Sequence, residues 1–329
     1  MSLRPPGFWW HDTPGPAARL LAPLGRLYGG RVARRMGRPG VIGPVPVVCI
    51  GNFTLGGAGK TPTALAVAAM LRAMGQNPAF LSRGYGGRLP GPVAVDPARH
   101  GPDAVGDEPL LLARAGPAVV ARDRVAGAAL CAALGADVVV MDDGLQNPAL
   151  RKDLVLAVVD AATGAGNRLS FPAGPLRAPL PAQWPHVSAL VVIGDGEPGE
   201  RLAREAAGRG LPVLRAALVP DLEAAAALRG RPVLAFAGIG RPEKFFATLA
   251  EAGADLRRTR AFADHHRFTA PEIAGLVAEA RRDGLALVTT EKDRVRLPAD
   301  LAVAALPVTL AFAEPDRLRA CLSDSALGA

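Results

Sequence analysis

The sequence predicts an α/β fold: a P-loop NTPase-like, doubly wound, mostly parallel sheet joined to a second, smaller α/β lobe. Three observations carry this. Short apolar, β-rich runs alternate with helical patterns from residue 45 to residue 218. The first run leads through a glycine-rich loop into a helix, and the alternation restarts after "PDLEAAAALRGRP". With 329 residues, 50% hydrophobic and 21% charged, the chain can bury the cores of two domains. The expected division is an N-terminal amphipathic segment over 1–40, a P-loop domain over 41–228 and a smaller C-terminal α/β domain over 229–329.

In chain order, the segment "FWWHDTPGPAARLLAPLGRLYGGRVARRMGRPG" puts Leu20, Leu21, Leu24, Leu27 and Tyr28 on one side of a helix, with Arg19 and Arg26 away from them. Arg31 and Arg35 fall on the apolar side, and Pro23, Gly29 and Gly30 interrupt the pattern. Two accounts fit: a helix in the headgroup layer anchored by Trp9 and Trp10, or packing against the body. The apolar runs 45–50, 77–81, 117–121, 137–141, 153–160, 187–193 and 211–218 read as strands buried on both faces. In the second lobe, strands are expected at 233–237, 286–290 and 307–312, and helices at 242–252 and 271–282.

A formal charge of +8 raises nucleic acid or an anionic membrane as partners. The basic residues are nearly all Arg in a chain rich in Ala, Gly and Pro, with no RNA-type aromatic motif and no zinc spacing, so no nucleic-acid partner is expected. Cys49, Cys131 and Cys321 are odd in number and widely spaced, which suits small hydrophobes in a reducing compartment. No run approaches the roughly 18 apolar residues of a membrane-spanning helix, and no apolar core precedes a cleavage site.

"GNFTLGGAGKTP" is a variant Walker A loop: Gly59-Lys60-Thr61 is complete, while Thr54 stands where the first Gly belongs. Residues Thr54, Leu55, Gly56, Gly57, Ala58, Gly59, Lys60 and Thr61 are expected to cradle a nucleotide. Gly56 and Gly57 free successive N–H groups to face phosphate oxygens, Lys60 reaches the β- and γ-phosphates, and the Thr61 hydroxyl ligates Mg²⁺. Asn52 either touches the nucleotide or braces the loop. "ADVVVMDDGLQ" ends an apolar strand in Asp142 and Asp143, a carboxylate pair that is costly without a cation beside it. ATP and Mg²⁺ are therefore the expected cofactors of a P-loop nucleotidase or kinase. Asp160 ends another strand and reads as a satisfied loop residue. "GIGRP" has Glu243 where a dinucleotide fingerprint needs its third Gly, which excludes NAD there.

The motifs "GNFTLGGAGKTP", "LSRGYGG", "VGDEP", "MDDGLQ", "FPAGPLR", "FAGIGRPEKFF", "FADHHRF" and "VTTEKD" occur in one order between about residues 45 and 295. In this the sequence resembles the tetraacyldisaccharide 4'-kinases of lipid A synthesis. The resemblance implies ATP-dependent phosphorylation of the 4'-hydroxyl of a tetraacylated glucosamine disaccharide 1-phosphate to give lipid IVA. It implies a peripheral or monotopic enzyme at the cytoplasmic face of the inner membrane, with residues 8–38 helping to dock it. The partners are then the lipid disaccharide and the membrane surface, with no obligate protein partner.

The same resemblance points to Asp107 of "VGDEP" as the proton acceptor, where the plainer reading is a helix N-cap. His265 of "DHH" is its expected partner, with His266 in competition; pairing across the lobes would require their closure. Lys60 completes the catalytic set. Arg83, Tyr85 and Arg124 are expected to contact substrate or phosphate, against the alternative of solvated surface charges. Glu291, Lys292 and Asp293 read as an interlobe ion-pair element. One departure stands out: an acid often follows the Leu-Arg of "PAGPLR" in the family, and here it is Ala178. Two rivals remain, a P-loop ATPase or GTPase switch and a membrane adaptor with a vestigial nucleotide site. The second lobe with its "DHH" argues against the first, and intact Lys60, Thr61, Asp142 and Asp143 against the second.

Overall fold

The computed structural model describes residues 5–324; residues 1–4 and 325–329, at the outer ends of the first and last expected segments, lie outside the described residues. Thirteen strands fall into two sheets among the described residues. They are β1 (Val47–Gly51), β2 (Pro78–Ser82), β3 (Val93–Ala94), β4 (Ala118–Val120), β5 (Val138–Asp142), β6 (Leu154–Asp160), β7 (Ala189–Ile193), β8 (Val213–Pro220), β9 (Pro232–Ala237), β10 (Asp255–Ala261), β11 (Ala286–Thr290), β12 (Ala304–Leu306) and β13 (Val308–Phe312). The large sheet has the order β13-β8-β7-β6-β1-β5-β2-β4-β3, and the small one β10-β9-β11-β12. Pairing is parallel throughout the small sheet and in the large one except at its edges, β3 with β4 and β8 with β13.

Every residue of β1, β2, β5, β6 and β7 is buried. The apolar runs produce this because helices cover both faces of the sheet. One face packs Val48, Val140, Leu154 and Leu156 against Ala64, Val67 and Leu71 of the helix that follows the glycine loop. The other buries Cys49, Val155 and Leu190 with Phe53 and Trp184. The second lobe has its own core around Val233, Ala235, Phe245, Leu249 and Val288. Cys49 and Cys131 are fully buried free thiols, each pushed up by burial, to about 11 and about 12.

Strand β1 lies between β5 and β6, so chain progression reverses direction across it, and the crevice at its carboxyl end is where such sheets bind ligands. The expected strand at 307–312 is present but belongs elsewhere. β13 pairs antiparallel with β8, Leu310 opposite Leu218, and so returns the chain to the large sheet. Its side chains explain this: Leu310, together with Leu318 and Leu322 of the following helix, completes the first lobe's core.

Helix α1 (Pro16–Met36) runs through Pro23, Gly29 and Gly30 without a break. Two of its glycines serve packing: a Cβ on Gly25 would lie 2.6 Å from the Ser170 carbonyl oxygen, and one on Gly29 2.5 Å from the Ser170 hydroxyl. Trp9 is buried, donates its indole N–H to the Pro172 carbonyl at 3.1 Å and meets Phe171 edge to face. It is thus a packing residue and no interfacial anchor in this arrangement. The opposite side of α1 keeps Leu20, Leu24, Leu27 and Tyr28 exposed, Leu20 at 81%. No helix among the described residues is long and apolar enough to cross a membrane.

Candidate active site

The glycine loop joins β1 to α2 (Lys60–Ala73), and Gly59, the N-cap, has φ 90°. Its first half is braced from outside: Thr54 bridges Leu176, the Leu55 N–H donates to the Pro175 carbonyl at 2.7 Å, and the Arg177 Nε donates to the Thr54 carbonyl at 2.9 Å. An extended Thr54 held on both sides needs no glycine freedom, which accounts for the variant first position. Asn52 is buried, and its amide donates to the Gly56 carbonyl at 3.4 Å, so here it braces the loop.

The Lys60 ammonium lies 3.9 Å from Asp143 Oδ1. Asp143 is also gripped by a two-pronged Arg177 guanidinium at 2.8 and 3.0 Å. Those two cations outweigh the burial that raises its carboxyl and hold it down at about 2. Asp142 differs: burial, with Asp143 adding, pushes it up to about 7 against the pull of Lys60, and its buried Oδ1 has no hydrogen-bond partner. An unpartnered buried carboxylate oxygen beside a phosphate loop suits a hard divalent cation. Asp142 therefore fits Mg²⁺, with Thr61 in the wall of the same cleft, whereas both Asp143 oxygens accept from Arg177. Ala178 is fully buried, with its carbonyl accepting from Gln183 Nε2 at 2.6 Å.

Across the crevice, α3 (Pro102–Val105) and α4 (Asp107–Ala115) meet at Gly106, whose φ is 90°. Asp107 is the first helical residue and makes no capping bond, so the N-cap reading does not describe it. Its 5% exposed carboxylate meets the His265 Nδ1 at 3.2 Å on both oxygens and also receives Arg296. His265 and not His266 makes the pair: His266 is turned to Glu272, 3.0 Å away, and stacks on Phe262. Burial first, then Lys292, lowers the His265 pKa, so the imidazole is neutral near pH 7. With Nδ1–H directed at Asp107, the Nε2 lone pair faces Lys292 at 3.3 Å. Lys292 in turn crosses the lobes to Glu108 at 2.8 Å, as an interlobe ion pair would. Asp160 makes a second such pair, with Arg241 at 2.8 Å. Gly106→Ala is expected to cost about 2–3 kcal/mol, because it combines a left-handed φ with a Cβ 2.5 Å from the Tyr85 carbonyl oxygen. Thermal melting checks it; an unchanged Tm would mean the turn relaxes freely.

One cleft of about 1620 Å³ has Lys60, Glu108, His265 and Lys292 in its walls. Arg83, Tyr85 and Arg124 line it too. Tyr85 is exposed and stands edge-on to His265, ring centroids 5.4 Å apart. Arg124 is 2% exposed and donates to the Ala121 carbonyl, which removes the surface-charge alternative for it, while Arg83 is exposed. Sequence reasoning passed over Arg177, Glu108 and Arg296. The first two stood inside quoted motifs, whereas Arg296 lies three residues beyond "VTTEKD" with nothing local to mark it.

A glycine cradle with its lysine, a strand-end acid and a His–Asp pair on one cleft define a two-lobed P-loop phosphotransferase. A family model described as tetraacyldisaccharide-1-P 4'-kinase matches residues 17–326. The chain belongs to that family. It is 68% identical over 314 residues to a tetraacyldisaccharide 4'-kinase of Methylobacterium nodulans, covering 95% of this chain and 93% of the relative. It is 55% identical over 332 residues to one of Rhodopseudomonas palustris, covering 99% and 97%. The crystal structure of the "apo" form of LpxK from Aquifex aeolicus in complex with ATP superposes with a TM-score of 0.73 at 25% identity, covering 93% of this chain and 98% of that one.

Proposed function

We propose that this chain transfers the γ-phosphoryl group of ATP to the 4'-hydroxyl of a tetraacylated glucosamine disaccharide 1-phosphate, giving lipid IVA. The observation that carries the reading is that Lys60 and the His265 of the Asp107 pair line one cleft between the lobes. Lys60 and the loop N–H groups hold the phosphates, and the Asp107–His265 pair takes the hydroxyl proton. Thr61 and Asp142 would hold Mg²⁺, which supplies charge neutralisation on the phosphates when bound. Arg83, Tyr85 and Arg124 contact the acceptor. The working division is an N-terminal segment to about residue 40, a P-loop lobe that also claims 308–322, and a smaller lobe between them in sequence.

The exposed stripe Leu20, Leu24, Leu27 and Tyr28, bordered by the exposed Arg19, Arg26 and Arg31, suits a helix resting on an anionic bilayer. On this reading the enzyme sits peripherally at the cytoplasmic face of the inner membrane, where its acceptor lies.

Labelled ATP, Mg²⁺ and the detergent-solubilised disaccharide 1-phosphate should yield a doubly phosphorylated lipid. ATP hydrolysis without labelled lipid would favour a nucleotide switch instead. Run on anionic vesicles, the same assay should lose about tenfold in the double variant Leu20→Glu, Leu24→Glu and keep its rate in detergent.

A further inference from the structure

Arg296 is the most enclosed cation at the lobe interface, its side chain 6% exposed. One guanidinium nitrogen, Nη1, donates to the Gly238 carbonyl at 3.0 Å and to Asp293 Oδ1 at 2.9 Å. Asp293 is itself fully buried and accepts the Gly238 N–H at 2.9 Å and the Thr290 hydroxyl at 2.8 Å, so this anchor belongs wholly to the second lobe. The other nitrogen, Nη2, donates to Asp107 Oδ2 and lies 3.4 Å from His265 Nδ1. Asp107 comes from the first lobe, at the start of α4. The planar fork thus ties the acid of one lobe to a rigid anchor in the other, beside the histidine that shares it.

We infer that Arg296 is a positioning residue for phosphoryl transfer: held by Asp293 and Gly238, it fixes the Asp107 carboxylate against His265. The inference rests on the proposed role of the Asp107–His265 pair. Two donors from one lobe converging on one carboxylate of the other leave it little rotational freedom, which is the alignment an in-line transfer needs. A lysine cannot serve as well, since a single ammonium lacks the fork that spans three acceptors. Arg296 lies behind the pair and makes no contact with the glycine loop, so its loss is expected in turnover and not in ATP binding.

The test uses the full chain with labelled ATP and the detergent-solubilised disaccharide 1-phosphate, comparing Arg296→Ala, Arg296→Lys and Asp107→Asn. Arg296→Ala should lower kcat by about 10- to 100-fold while KM for ATP stays within about threefold. Added guanidinium should restore at least about tenfold of that loss in Arg296→Ala and none in Asp107→Asn. Arg296→Lys, which keeps the charge if the alanine variant fails to fold, should still lose about fivefold or more in kcat. Wild-type kcat in both Arg296 variants, beside a dead Asp107→Asn, would overturn the inference alone. Equal losses in kcat and ATP affinity without guanidinium rescue would reduce Arg296 to a structural brace. Wild-type turnover in Asp107→Asn would remove the base reading and the role of Arg296 with it.

Discussion

Lys60→Ala is expected to lower turnover by about 10²- to 10³-fold, the cost of removing one fixed charge from a preorganised phosphoryl site. In this chemistry the protein forms few bonds and mainly positions and neutralises, so a cation at the loop carries a large share of the rate. Its surroundings make the experiment clean. Lys60 is the first residue of α2, and its ammonium is 3.9 Å from Asp143, which keeps its two-pronged bond to Arg177 when the lysine is gone. Asp143 keeps its partner, and buried Asp142, which loses the pull of Lys60, can take up a proton instead of standing as an unpaired charge, so the melting temperature should hold within a few degrees. Lys60→Arg should rescue little, because the planar group cannot replace a compact ammonium at the head of the loop. Labelled-lipid formation gives kcat, and a fluorescent ATP analogue gives affinity; a rate within about threefold of wild type would take Lys60 out of the mechanism.

What the sequence made legible here was local. Buried strands show as apolar runs, and β1, β5, β6 and β11 fall within a residue or two of where those runs lie. The loop, the strand-end acids and the "DHH" step are likewise short-range patterns. β10 escaped because "DLRRTRA" is an exposed edge strand whose arginines face solvent and blunt the edge, so it carries no apolar signal. β13 was recognisable as a strand, but its partner is 90 residues away in the other lobe, and periodicity says nothing about partners. The choice between His265 and His266 was decided by backbone: His265 takes φ 56°, its N–H bonds the Gly238 carbonyl, and the next side chain is thrown toward Glu272 of a capping box. Arg177 and Arg296 act across 34 and 189 residues of sequence, and in so Arg-rich a chain only the three-dimensional contact distinguishes them from solvated charges.

Asp107→Asn is expected to cost about 10²- to 10⁴-fold in turnover with ATP affinity unchanged. The carboxylate accepts the His265 Nδ1–H, which leaves the Nε2 lone pair facing Lys292, itself in the cleft wall. An amide can present N–H to Nδ1 instead, which favours the opposite tautomer and puts the proton where the lone pair is needed. Arg296 would lose one of its two carboxylate partners but keep Asp293 and the Gly238 carbonyl, so stability should fall by only about 1–3 kcal/mol, visible as a modest drop in Tm. Glu108 is the neighbouring carboxylate and lines the same cleft, yet it is a poor substitute. Burial alone would raise its pKa, but Lys292 at 2.8 Å, with Lys60 adding, outweighs that and holds it below the usual range, so it has little appetite for a proton near pH 7. Asp107→Asn should therefore stay inactive across the neutral range, and raising the pH should not recover it. Turnover within about tenfold of wild type would show that the hydroxyl proton leaves by another route.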